Sequence, residues 1–228
     1  MNAGRTARER ARAELTEEIK TAARRQLATV GAEALSLRAV SRELGMVSSA
    51  LYRYFASRDE LLTALIIDAY DALGAAAEAA ATGGDPVDEW IAIYAAVRDW
   101  ARANPQEYAL IYGSPISGYK APQTTVAPAT RVPLLLLSVL QRAQAAGRLD
   151  PPADAPAPSG ALAQQTEVLV ALAPDLPPAV LVRTIIVWTQ LFGMISFELF
   201  GQLVGSMDPA DEFFASASRQ MAAFLGLR

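Results

Sequence analysis

Ser48, Ser49, Tyr52 and Arg53 lie in the stretch GMVSSALYRYF at residues 45–55, and their types and spacing suggest chemistry. Wound at about 100° per residue, they gather on one side of a helix, while Val47, Ala50, Leu51, Tyr54 and Phe55 gather on the other. The first face offers short hydroxyls, a phenol and a guanidinium, with no Glu, Asp or Lys. Those groups are hydrogen-bond donors of short and medium reach. An ordinary solvated face carries acids and lysines, so this one reads as a surface built for contact with something outside the protein.

Composition narrows what else the chain can do. It has 228 residues, no His and no Cys, and a formal net charge of −4. Imidazole and thiol catalysis, disulfides and zinc sites of ordinary composition are therefore excluded. Neither a catalytic constellation, a metal site nor a cofactor site is expected. A hydrophobic fraction of 52% is too high for a disordered chain and supplies a substantial core. The N-terminal residues MNAGRTARERAR are basic and polar, unlike a signal peptide, which favours a cytoplasmic protein.

One stretch is long and apolar enough to suggest a membrane span, IIVWTQLFGMISFELFGQLVG at 185–205. It contains Gln190, Glu198 and Gln202, and a carboxylate well inside a span costs roughly 2.5–3.5 kcal/mol. It reads instead as a buried or interfacial helix, and no membrane is expected as a partner.

Charge is distributed unevenly. Residues 1–58 carry eleven basic and six acidic side chains, a net +5, which leaves −9 for residues 59–228. A basic lobe attracts polyanions because each neutralised phosphate releases counterions. Arg38, Arg42, Arg53 and Arg58 fall within helical pattern rather than in a loose tail.

The elements that must position the contact face all read as helices; no segment shows sustained period-two alternation. A first helix is expected over about 12–30, with Ile19, Ala23 and Leu27 on one stripe and Gly31 as its stop. Ser36 sits where an N-cap belongs, before a short helix over 37–44 closed by Gly45. The helix at 48–55 follows. Ser57 and Glu60 have capping-box spacing and begin a long helix to about Ala81. After the GGDP boundary at 83–86, further helices are expected at 86–103, from Pro105, and at 131–146, 159–172, 178–205 and 209–225. Pro-rich loops occupy 113–128 and 150–159.

Two short helices around a tight glycine turn have the lengths of a helix-turn-helix, whose second helix enters the DNA major groove. The run LSLRAVSRELGMVSSALYRYFASRDELL, residues 35–62, strongly resembles the DNA-binding motif of TetR-type transcriptional regulators. Ser36, Val40, Gly45, Leu51, Tyr52, Phe55, Arg58 and Leu61 match its recurrent positions, and Ile19, Ala23, Leu27 and Gly31 match the family's first helix. The resemblance implies an all-α chain, with a helix-turn-helix DNA-binding domain at 1–58 and a larger helical effector-binding and dimerisation domain at 59–228. It implies phosphate contacts from Ser36, Arg38, Tyr52, Tyr54 and Arg58, and groove contacts from Ser48, Ser49 and Arg53. Arg53 either reads a guanine through its O6 and N7 or contacts a phosphate. Tyr54, on the inner side of the wheel, either packs or contacts. Val47 stands where the family usually has a capping Ser or Thr, so Ser48 or Ser49 would have to cap instead.

The C-terminal part resembles a subgroup with a Trp-x-x-x-His-Gly motif; here Trp188, Phe192 and Gly193 stand in it, with Phe replacing His. Family members usually dimerise through their last two helices. Phe192, Phe197, Phe200, Phe213, Phe214, Met221 and Phe224 are the candidates for that interface, or else they are buried within one subunit. Trp90, Tyr94, Trp100, Tyr108, Tyr112, Gln190 and Met194 are candidates to line a mostly apolar effector pocket. The expected protein is a ligand-responsive homodimer on a palindromic double-stranded operator, most simply a repressor released by a small, largely apolar effector. A constitutive DNA-binding dimer and a helical enzyme or carrier are the competing classes.

Overall fold

A computed structural model describes residues 3–152 and 156–228, which form two compact units. Among the described residues the first contains 3–71 and 104–129, and the second 72–103, 130–152 and 156–228. Among the described residues the regular elements are α-helices and one 3-10 turn: α1 Ala3–Val30, α2 Leu37–Glu43, α3 Ser48–Leu51, α4 Arg58–Ala80, α5 Pro86–Ala103, α6 Pro105–Tyr112, the turn Gln123–Thr125, α7 Val126–Ala145, α8 Gly160–Leu172, α9 Pro178–Leu199 and α10 Asp211–Leu225. The chain is all-α, as its periodicity indicates.

The first unit is organised by the stripe Ile19, Ala23 and Leu27 of α1, buried with Leu35, Leu37, Val40, Leu51, Phe55, Leu61 and Leu62. Burying one such aliphatic or aromatic side chain contributes about 1.5–3 kcal/mol, which is what holds helices as short as α2 and α3 in place. Between them Gly45 takes φ +64°, with Met46 N–H donating to Ser41 C=O at 2.8 Å and Gly45 N–H to Arg42 C=O at 3.2 Å. That is a Schellman ending, and it needs a residue without a Cβ penalty in the left-handed region. Ser57 Oγ accepts from the Glu60 N–H at 3.1 Å, while the Glu60 carboxylate accepts from the Ala56 N–H at 2.8 Å. The capping box thus forms with its return bond shifted one residue upstream.

The unit also takes in α6 and the segment after it. Asp68 accepts from Lys20 and Arg24, and Arg24 reaches Glu107 of α6 at 3.0 Å. Burial lowers the Lys20 pKa, but hydrogen bonds to Asp68 and Glu17 outweigh it and hold the ammonium above its ordinary value. The Tyr119 hydroxyl meets Thr63 at 2.9 Å, and the Ser117 N–H donates to Glu33 at 2.7 Å. A boundary after residue 58 therefore falls inside this unit, at the first turn of α4.

In the second unit α5 packs on α9 and α10, and α8 packs on α9. Trp90, Ile93, Tyr94, Leu136, Leu140, Leu181, Leu191 and Leu225 are fully buried there. Arg98, 7% exposed, donates twice to Glu198 at 2.7 Å and once to Asp211 at 2.9 Å, tying α5 to α9 and α10. α9 is the one described helix long and apolar enough to cross a membrane by length and composition, and it lies against α5, α8 and α10.

Four helices differ from the periodicity, the first being α1, which begins at Ala3 rather than near residue 12. α9 stops at Leu199 rather than 205, because Gly201 at φ +80° ends it with Gln202 N–H on the Phe197 carbonyl. α7 begins at Val126, five residues early. Pro128 is tolerated because its missing N–H belongs to the unpaired first turn, and Pro133 lies inside the helix. α3 keeps only Ser48–Leu51. Beyond it, Arg53 and Tyr54 donate to carbonyls three residues back, a tighter winding than the α-helix.

Candidate nucleic-acid interface

The expected contact face survives that tightening in part. Tyr52 is 44% exposed, and Ser49, Arg53, Arg38 and Arg42 are exposed beside it. Ser48 is half-buried, and its hydroxyl lies 3.1 Å from that of Ser41. Ser41 already gives its only hydrogen to the Arg38 carbonyl at 3.0 Å, so Ser48 is the donor. The two serines thereby bolt α3 to α2.

No side chain caps α3. Val47 is the N-cap residue, with extended φ −69° and ψ 138°, 70% exposed and without a cap bond. Neither Ser48 nor Ser49 takes over that task. Ser36 is likewise the backbone N-cap of α2 without a side-chain bond, and its own N–H donates to the side-chain Oε1 of Gln26 at 3.4 Å. Ser36 is half-buried.

Two arginines brace this surface. Arg58 donates from Nε to the Leu35 carbonyl at 3.2 Å and from Nη2 to the Ala32 and Glu33 carbonyls at 2.8 and 3.1 Å. Three of its five donors are thus committed to the α1–α2 loop, and Nη1 sits 3.8 Å from Asp59. Its geometry makes it first a clamp on the entry to α2. Arg12 of α1 lies 4.9 Å over the ring of Tyr54 and donates to the Arg53 carbonyl at 3.1 Å. Tyr54 is half-buried and packs against the core of the unit, so its ring works mainly as packing.

Internal pairing also redistributes the basic charge. Lys20, Arg24, Arg25 and Arg58 are spent on carboxylates and carbonyls within the unit. Arg8, Arg10, Arg12, Arg38, Arg42 and Arg53 remain exposed.

The residues expected around an effector divide between the units. Tyr108 and Tyr112 belong to the first, with ring centroids 5.3 Å apart and Tyr112 edge-on to Tyr70 at 6.0 Å. Trp90, Tyr94, Trp100, Gln190 and Met194 belong to the second. There Trp90 and Tyr94 are fully buried 5.1 Å apart, and the Tyr94 hydroxyl donates to the Val187 carbonyl at 2.9 Å. Burial pushes the Tyr94 and Tyr112 phenols up, so both stay neutral. Trp100 is half-buried, Met194 is buried and Gln190 exposed. None of the seven lines the apolar cavity of this unit, which is walled by α7, α8 and α9. Of the expected dimer residues, Phe197 and Phe200 are 55% and 47% exposed, Phe192 and Phe214 are buried, and Phe213, Met221 and Phe224 are half-buried.

Comparison with known proteins accords with this geometry. Residues 19–65 match the family described as bacterial regulatory proteins, tetR family, and residues 90–221 match the tetracyclin repressor-like C-terminal domain. The HTH-type transcriptional regulators Rv1816 of Mycobacterium tuberculosis and Mb1846 of Mycobacterium bovis are each 41% identical over 223 residues, covering 94% of either chain. This chain belongs to the TetR family. Among solved structures, the regulatory protein SCO4313 is 34% identical with TM-score 0.77, covering 94% of this chain and 98% of its own. A Rhodococcus protein of unknown function, 24% identical with TM-score 0.71 over 93% and 95% of the two chains, shares the fold.

Membership makes this TetR-family chain a DNA-binding transcriptional regulator and not an enzyme. Sequence reasoning had no means of finding Arg12, Gln26 or Ser41 as supports of the interface. Each acts through a backbone carbonyl, a backbone N–H, a ring or a second hydroxyl brought near by folding. The basic run of α1 was the only trace of Arg12.

Proposed function

We propose that the protein is a ligand-responsive repressor that binds a palindromic operator as a homodimer and is released by a small, largely apolar effector. The observation that carries the DNA half of this reading is the exposed set Arg38, Arg42, Ser49, Tyr52 and Arg53 on α2, α3 and the turn after it. In this reading Arg53 reads a base edge; Ser49 and Tyr52 touch the groove wall and phosphates, and Ser36 and Arg38 touch phosphates beside α2. Ser48, Tyr54 and Arg58 act mainly by holding that surface, with their remaining polar atoms at its margin.

Dimerisation is assigned to α9 and α10. The exposed side of α9 carries Ile186, Phe197 and Phe200, with Gly193 between them at helical spacing, and an apolar stripe of that kind calls for cover. Trp188, Phe192 and Gly193 occupy the Trp-x-x-x-His-Gly positions. The Phe192 ring meets Trp188 edge-on at 6.0 Å, an aromatic contact at the position where the motif has an imidazole. The working location is the cytoplasm, where regulators of this type act.

A mobility-shift titration on the protein's own promoter, at several salt concentrations, tests the proposal. Specific binding should exceed binding to random DNA by at least 10³-fold. Equal binding to both overturns it, and specific binding indifferent to every added metabolite leaves a constitutive regulator.

A further inference from the structure

Helix α1 begins at Ala3, so residues 3–11 precede Arg12 as about 13 Å of helix at 1.5 Å per residue. Ile19, Leu15, Arg12 and Arg8 follow one another along α1 at spacings of four, three and four, and so share one face. Ile19 is fully buried, and Leu15 packs on the same core. Arg12 lies over the Tyr54 ring and donates to the Arg53 carbonyl. The inward face of α1 thus runs past the end of the core, over the turn after α3, and reaches Arg8 one helical turn further out. Arg8 is exposed, and among the described residues it has no hydrogen-bond or ion-pair partner. Three and four positions away stand Gly4, Arg5, Ala11 and Arg12, so no carboxylate occupies a helical-neighbour position and Arg8 and Arg12 repel each other. Arg10 is exposed too, but lies on the opposite side of α1, with Glu14 four residues on.

We propose that this overhang of α1 is a further DNA-contacting element, in which Arg8 binds the sugar–phosphate backbone beside the groove that α3 enters. Two observations carry it. The stripe is continuous with the contact surface, because Arg12 is fixed to the backbone of Arg53, and Arg8 lies on the same face about 6 Å further along the helix axis. Its charge is also left unbalanced within the protein, and a polyanion relieves the repulsion while each phosphate met releases counterions. Arg12 itself stays a brace, its guanidinium committed to Tyr54 and Arg53. A backbone contact carries no sequence information, so Arg8 adds affinity rather than specificity. The proposal rests on the reading of α3 as the element that enters the groove, and extends the interface beyond the helix-turn-helix.

Arg8→Ala and Arg10→Ala remove the same charge from opposite sides of one exposed stretch of helix, and neither takes a group from the core. Salt-dependent titrations of the full-length variants, on promoter DNA and on a random duplex of equal length, test the assignment. Arg8→Ala should weaken both DNAs by the same factor, roughly tenfold at low salt, and make the salt slope shallower by about 0.9 per subunit. Arg8→Lys, which keeps a point charge for a phosphate, should recover most of the loss. Arg10→Ala should bind both DNAs nearly as wild type does. Equal losses from Arg8→Ala and Arg10→Ala would reduce the overhang to diffuse attraction and overturn the proposal. So would an Arg8→Ala variant that binds like wild type, or a loss confined to promoter DNA, which is the mark of base reading. Arg53→Ala serves as the reference. If it loses base preference while Arg8→Ala is inert, the overhang alone is refuted; if both variants bind like wild type, the reading of α3 falls as well.

Discussion

Arg12 in α1 lies over the ring of Tyr54, 4.9 Å from its centroid, and donates from Nη2 to the carbonyl of Arg53 at 3.1 Å. One guanidinium thus grips the end of α3 on two sides. The grip matters because α3 has only four residues and no cap at its N-terminus. A one-turn helix has little stability of its own, so the direction of Arg53 depends on what holds its backbone.

Replacing Arg12 by Lys keeps the charge and loses the planar stack and the second donor. Operator affinity should drop roughly tenfold, from one cation–π contact and one hydrogen bond, with an unchanged salt slope. A direct phosphate contact would behave oppositely: Arg12→Lys would be tolerated, and Arg12→Ala would reduce the slope by about 0.9. Salt-dependent titrations of both variants decide between these.

Arg53→Ala should cost about 1–3 kcal/mol, concentrated at one base position of the operator. A panel of single-base operator variants measures this. The variant should no longer distinguish the base that wild type prefers there, and an equal loss on every sequence would make Arg53 a phosphate contact.

Val47→Thr should stabilise the protein by about 1 kcal/mol, because Val47 already has extended N-cap geometry and is exposed, lacking only an oxygen for the orphan N–H groups. Thermal unfolding should show a higher midpoint. An unchanged or lower one would mean that those N–H groups are satisfied by water at no cost.

The helix-turn-helix was legible in the sequence because its signals are local: the α1 stripe, Gly45 with its obligatory turn, and the Ser57–Glu60 box. What eluded the sequence was set by long-range contact. Arg58 looked like a phosphate ligand from its place at the start of α4, yet three of its donors are drawn to carbonyls 23 to 26 residues upstream. The aromatic candidates for a pocket have a suitable residue type but not a suitable place. Trp90, Tyr94 and Tyr108 are fully buried, and the cavity of the second unit is walled largely by leucines that a sequence cannot tell from core. The early start of α7 was hidden by Pro128, which composition reads as loop and the first turn of a helix accepts.

Acid should weaken the second unit through Asp211. Its hydrogen bond to Arg98 holds its pKa below the usual carboxylate value, helped by the charge of Arg98. A folded-state pKa below the unfolded one gives stability that is present above the unfolded value and lost as pH falls through the folded one. Stability should therefore decline as pH falls through and below the ordinary aspartate range, and Asp211→Asn should make that decline shallower. Denaturant midpoints across this range test it; an identical pH slope in the variant would place the acid sensitivity elsewhere.

Phe197 and Phe200 leave about half of their surfaces exposed on α9. Side chains of this size cost roughly 1.5–3 kcal/mol each to keep in water rather than buried, and a second copy of the same face can cover both at once. Changing the pair to Phe197→Glu and Phe200→Glu brings like charges together across a two-fold axis, while no buried residue of the subunit is altered. Sedimentation velocity should then give a monomer that retains its helical circular dichroism. Operator binding should fall to the level of random DNA, because two half-sites are gripped together only by a dimer of fixed spacing. A variant that stays dimeric would exclude this stripe from the interface and turn attention to the exposed Leu162, Val168 and Leu172 of α8.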